Sequence, residues 1–170
     1  AIFTEEGLIK YNIPFNEYNK NNIKEGMTIV KGLSIKDDNP EVIEAKRLNL
    51  EIYDYNEMVG VLTKKYRTVC VSGCHGKTTT TAMLSHVLNN IKGANYLIGD
   101  GTGYANRDNE LFILESCEYK RHFLAYTPYY TVILNIDLDH VDYFKDIDDV
   151  ILAYKELAEK SNGPIVAFGD

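Results

Sequence analysis

Hydrophobic positions along the chain switch repeatedly between short, nearly continuous runs and stretches with helical spacing, and this alternation predicts an α/β fold. FTEEGLIKYNI, with Thr4 as N-cap and two acids in the first turn, predicts a helix containing Phe3. MTIVKG, Met27 to Gly32, predicts a short buried strand. Asp38, Asn39 and Pro40 announce a helix whose Val42, Ala45 and Leu48 share a face; Pro suits its first position because that N–H has no intrahelical partner. A strand around Glu51 to Tyr53 follows. A helix from Asn56 to Lys65 then places Met58, Val59, Leu62 and Tyr66 together and ends in basic residues suited to its negative pole. A boundary near Tyr66 gives two parts, residues 1–66 and 67–170.

The second part repeats the pattern more strongly: strand TVCVS, a glycine loop, a helix from Thr78 to Asn90, a strand at Asn95 to Ile98 and a turn GDGTG. LFILE (Leu111 to Glu115) and TVILNI (Thr131 to Ile136) are apolar at nearly every position, as strands covered on both faces are. A helix from Asp146 to Lys160 follows, with Val150, Ala153, Tyr154 and Leu157 on one face and its charges facing solvent; a strand IVAF closes the chain. Ligands of open α/β sheets gather at the carboxyl ends of the strands, so Gly73, Glu115 and Asp137 to His140 are expected to be neighbours.

Composition narrows the function. The chain has 170 residues, 45% of them hydrophobic, enough for a core. A net charge of −7 argues against broad binding to nucleic acid or anionic lipid, so any bound anion must be gripped locally. No window approaches the ~20 apolar residues of a membrane span, and a cytoplasmic location is expected. Cys70, Cys74 and Cys117 are odd in number and form no C-x-x-C pair, which fits reduced thiols rather than a disulfide framework or structural zinc. The absence of Met at position 1 and of a tapering tail before Asp170 suggests that both ends are cuts.

In VCVSGCHGKTTTTAML an apolar strand runs through Gly73, Cys74, His75, Gly76, Lys77, Thr78 and Thr79 into a helix, the setting of a phosphate loop. Glycines let successive N–H groups point inward, the helix start adds positive potential, Lys77 supplies charge, and the Thr78 hydroxyl can ligate Mg²⁺. Val71 stands where the strict motif has its first glycine, so the loop is a variant; the competing reading is a plain strand-to-helix turn. Cys74 and His75 read as loop-shaping residues rather than a nucleophile with its base, and Cys70 reads as core. A helix N-terminus favours thiolate, so Cys74 is expected to react with alkylating agents.

Glu115 is either a solvated strand terminus or a cation ligand. His140, among Asp137, Asp139 and Asp142, reads as a surface residue, a metal ligand or a proton carrier. If both emerge beside the loop, they can hold Mg²⁺ against a transferring phosphoryl group. SCEYKRHFL carries Glu118, Lys120, Arg121 and His122, read either as a helical turn with a solvated charged face or as a loop facing a second substrate.

SGCHGKTTTTAM, LESCEYKRHFL and LNIDLDHVDYF, in this order and spacing, resemble the Mur ligase family, especially its alanine-adding members of Gram-positive type. NIKEGMTIVKG resembles the late part of the family's N-terminal UDP-binding domain. The resemblance implies a partial Rossmann-like domain followed by part of an ATP-binding central domain with a mostly parallel sheet. It implies an ATP- and Mg²⁺-dependent amide ligase that joins L-alanine to UDP-N-acetylmuramate through an acyl phosphate. By resemblance, Gly73 to Thr79 hold ATP, Lys77 meets the phosphates, Thr78 takes one Mg²⁺, and Glu115 and His140 take a second, with Lys77, Glu115 and His140 as the catalytic set. Tripeptide-recycling or folate-polyglutamate ligases and a non-catalytic nucleotide-binding fragment are the alternatives. Lys155 lies near the place of a modified lysine in several relatives, but no such role is expected of it. Family members extend beyond both ends of this chain, so the isolated fragment is expected to be catalytically silent. Its oligomeric state stays open.

Overall fold

The computed structural model describes residues 17–169. The expected helix around Phe3 lies outside these residues. The chain divides into two compact units, residues 1–58 and 59–170.

The described part of the first unit holds a strand–helix–strand crossover. β1 (Ile29–Lys31) runs parallel to β2 (Ile52–Asp54), with Ile29 opposite Ile52 and Lys31 opposite Asp54. Between them lies α1 (Pro40–Arg47). Asn39 caps it by accepting from the Glu41 N–H at 2.9 Å, Pro40 takes the first turn, and Val42 and Ala45 are buried. α2 (Tyr55–Thr63) begins here, and its residues from Val59 onward belong to the second unit, short of the Tyr66 boundary read from the sequence. Of the expected row Met58, Val59, Leu62 and Tyr66, Val59 is buried and the others are partly buried; Gly60 and Thr63 are buried as well, and the last turn has no basic residue because the helix ends at Thr63.

The second unit is built on a six-stranded sheet. In spatial order its strands are β5 (Gly103–Tyr104), β4 (Ala94–Leu97), β6 (Leu111–Glu115), β3 (Arg67–Ser72), β7 (Tyr130–Ile133) and β8 (Ile165–Ala167). All neighbours are parallel except the β4–β5 pair. The mixed α/β, mostly parallel architecture is the expected one. The short edge strand β5 is not predicted by the sequence pattern, and β7 stops at Ile133, leaving Leu134 to Ile136 as a loop.

α3 (Lys77–Lys92) lays Leu84 and Leu88 over a core of Val69, Val71, Ala94 and Ile113. α4 (Ile147–Glu159) is capped by the Asp146 carboxylate, which accepts from the Asp149 N–H, and buries Val150, Ala153, Tyr154 and Leu157, the face its spacing predicts. Among the described residues, no helix is long and apolar enough to cross a membrane.

Candidate nucleotide and metal site

β3 is flanked on both sides, so its carboxyl end opens at the middle of the sheet, where the chain must turn into α3. Two glycines make that turn. Gly73 has φ +141, and a Cβ there would lie 3.0 Å from Leu134 Cβ; Gly76, with φ +83, takes the left-handed conformation just before the helix. The loop is tied to the segment after β7. Cys74 N–H donates to Asn135 O at 3.3 Å, His75 N–H donates to Asn135 Oδ1 at 2.9 Å, and Asn135 Nδ2 donates to His75 O at 2.9 Å.

Lys77 turns back into the loop. Its Nζ donates to Gly73 O at 2.6 Å and lies 3.1 Å from both carboxylate oxygens of Glu118. Thr78, on the exposed first turn of α3, donates from Oγ1 to Glu115 Oε1 at 3.0 Å, and the other Glu115 oxygen accepts from Gly99 N–H at 2.7 Å. Thr79 is exposed beside it. The strand-end acid and the loop hydroxyl expected to be neighbours are thus in direct contact.

His140 arrives from the loop after β7 with φ 53, a left-handed conformation of the kind that carries strain and clusters at functional sites. Its N–H donates to Asp139 Oδ1 at 2.7 Å, and the Tyr119 ring packs 4.7 Å from its imidazole. Its Nε2 faces Glu118 Oε1 at 3.6 Å. Among the described residues, Glu118, Asp139 and His140 are the group of potential metal ligands, their donor atoms lying within 4.8 Å of one another. Oxygen and imidazole donors of this kind suit a hard divalent cation.

Glu118 is the member that sequence reasoning missed. SCEYKRHFL forms a kinked 3₁₀ segment, Tyr119–Ala125, in which Lys120 and Arg121 take positive φ. Of its charged side chains only Lys120 is exposed. Glu118 is 1% exposed, and Arg121 donates to Asp149 at 2.6 Å and Glu156 at 2.9 Å, so these two α4 acids are paired as well. The only signal available in sequence was a second acid three residues beyond Glu115.

Cys74 also departs from expectation. It is buried, donates from Sγ to Asp137 O at 3.0 Å and accepts from Asp137 N–H at 3.1 Å. Burial raises its pKa, against the lowering by the Asp137 backbone contact, and favours the protonated thiol. Cys70 is fully buried core, as expected, and Lys155 is exposed. An apolar cavity of about 400 Å³ elsewhere in this unit, lined by Leu62, Tyr66, Tyr96, Tyr104 and Phe112 among others, shares no residue with the loop.

Comparison with known families matches residues 2–67 to a model described as the catalytic domain of the Mur ligase family, and residues 71–170 to the Mur ligase middle domain. Among solved structures, the chain is similar to UDP-N-acetylmuramate-alanine ligase MurC from Thermotoga maritima, with a TM-score of 0.74, 25% identity, 97% of this chain and 41% of that one. It resembles the UDP-N-acetylmuramate:L-alanyl-gamma-D-glutamyl-meso-diaminopimelate ligase from Neisseria meningitides in fold, at TM-score 0.73, 22% identity, 97% of this chain and 60% of that one. The MurF ligase from Thermotoga maritima, solved in complex with ADP, shares the fold at TM-score 0.62 and 20% identity, over 90% of this chain and 45% of that one. The chain therefore spans less than two thirds of the length of each.

Proposed function

This chain belongs to the Mur ligase family, and from that membership we propose that its protein is an ATP-dependent amide ligase of peptidoglycan precursor synthesis, joining L-alanine to the lactyl carboxylate of UDP-N-acetylmuramate. Residues 1–66 are read as part of the UDP-binding domain and 67–170 as part of the ATP-binding domain. The observation that carries the reading is the meeting of the glycine loop, Lys77 and the Thr78–Glu115 contact at the carboxyl end of the central strand.

In this reading the loop amides and the start of α3 receive the phosphates of ATP, and Lys77 supplies a mobile charge where the transferring group becomes most anionic. The substrate carboxylate attacks the γ-phosphoryl group, ADP leaves, and the alanine amine then displaces phosphate from the acyl phosphate. Thr78, Glu115 and His140 offer the oxygen and nitrogen donors that Mg²⁺ requires, and the 3.0 Å contact of Thr78 with Glu115 fits a shared ligand set. Bound Mg²⁺ supplies charge neutralisation on the phosphoryl oxygens. The buried pairing of Glu118 with Lys77 and the backbone contacts of Cys74 with Asp137 hold the floor of the loop in place.

CEYKRHF and the similarity to the alanine ligase of Thermotoga maritima support alanine as acceptor. Likeness to the Neisseria ligase supports a second reading, transfer of a tripeptide. Phosphate release by the intact protein, with UDP-N-acetylmuramate, MgATP and either alanine, glycine, serine or tripeptide, separates them. Alanine is expected to give the highest kcat/KM; preference for tripeptide selects the second reading, and ATP binding without turnover on any acceptor overturns both.

A further inference from the structure

Glu118 is the only buried charged side chain among the described residues. Both its oxygens lie 3.1 Å from Lys77 Nζ, and Oε1 lies 3.6 Å from His140 Nε2 on the other side. It therefore stands between the loop lysine and the histidine proposed to hold a cation.

A lysine ammonium has three donors, and Gly73 O together with the Glu118 carboxylate engages those of Lys77, with Cys74 O at 3.3 Å. A phosphate entering the loop competes with Glu118 for this same ammonium. If Lys77 alone moved away, Glu118 would be left as a buried carboxylate without its cation, which is strongly unfavourable. A divalent ion held by His140 would remove that obstacle, because Glu118 Oε1 lies 3.6 Å from His140 Nε2 and the ion would replace the lost charge.

We propose that Glu118 is a positioning residue that couples the two halves of the site: it restrains Lys77 on the loop carbonyls and releases it to the nucleotide phosphates when a divalent cation is bound at His140. The inference rests on the reading that the loop takes ATP. Linkage makes the effect reciprocal, so Mg²⁺ strengthens ATP binding through Glu118 by a factor in the usual allosteric range of about 5–150.

Calorimetric ATP binding to the intact protein, with EDTA and with Mg²⁺, tests this in the wild type, Glu118→Gln and Glu118→Asp. Glu118→Gln, which frees Lys77, is expected to bind metal-free ATP about tenfold more tightly and to lose most of the gain from Mg²⁺; Glu118→Asp restores part of that gain. In a Lys77→Ala background, Glu118→Gln should no longer raise metal-free affinity. A Glu118→Gln protein that binds metal-free ATP no more tightly, or keeps the wild-type Mg²⁺ gain, overturns the proposal while leaving the ATP reading intact. A wild type that binds no MgATP overturns both. Should Glu118→Gln fail to fold, the wild type still decides: Mg²⁺ alone must shift the NMR signal of the Lys77 ammonium, and an unmoved signal refutes the coupling.

Discussion

Asn135 and His75 bond in both directions, the His75 N–H donating to the Asn135 side-chain oxygen and the Asn135 amide donating to His75 O, each at 2.9 Å. One side chain from beyond β7 thus fixes the crown of the glycine loop. Asn135→Ala removes both bonds at a partly exposed position, and a net cost of about 1–2 kcal/mol follows. ATP affinity should fall about tenfold, and the lost bonds should lower the melting temperature by about 2–8 °C. Calorimetry and thermal denaturation of the same variant check the two halves.

Gly99 presses on Glu115. A Cβ at Gly99 would lie 2.6 Å from Glu115 Oε1, the end of a movable side chain, so the carboxylate gives way. Gly99→Ala should swing it from Thr78 and weaken ATP binding in Mg²⁺ several-fold. Stability should stay within about 0.5 kcal/mol of wild type, as for most surface changes. Titration with ATP in Mg²⁺ and in EDTA tests this, since the loss should be confined to the Mg²⁺ arm.

Gly60 behaves differently because its neighbour is backbone. A Cβ there would run into Ala125 O, which cannot rotate aside. Gly60→Ala should cost about 1–3 kcal/mol through overpacking, despite the better helix propensity of alanine. Gly32, with nothing within 4 Å of its would-be Cβ, is the control and should tolerate alanine at little cost. Urea midpoints of the two variants give the contrast.

The thiols set an alkaline limit. Burial raises Cys70 from an ordinary 9.0 to about 12, and raises Cys117 and Cys74 too. Above about pH 9 the unfolded chain loses these protons while the folded chain keeps them, so stability falls as pH rises; the Cys70 contribution is gone once pH passes about 12. Cys70→Ala should therefore show a shallower loss of urea midpoint between about pH 8 and about pH 10.5 than the wild type. For the same reason Cys74 should alkylate more slowly at neutral pH than a free thiol, the reverse of what its place at a helix start suggests.

What sequence could reveal follows from how far each signal reaches. The loop, Thr78 and Glu115 are legible because each stands at the end of an apolar run, and a parallel sheet gathers such ends on one edge. Glu118 is not legible. Its neighbours Tyr119, Lys120 and Arg121 look like a solvated turn, and only the fork from Arg121 to Asp149 and Glu156 and the reach to Lys77 reveal a buried acid. For Cys74 the local rule was sound but incomplete, since the Asp137 backbone that seals the thiol lies far along the chain. β5 escaped because two residues at an edge carry no periodicity.

The strand order has a kinetic consequence. β3 registers Val69 against Ile113 on one side and against Tyr130 on the other, so during synthesis it leaves the ribosome long before either neighbour exists. An apolar strand kept waiting is a target for chaperones and for wrong pairing, and distant parallel pairing is slow by nature. The glycines that shape the loop can therefore take up their final conformation only late in folding, once the residues after Ile133 have emerged to meet them.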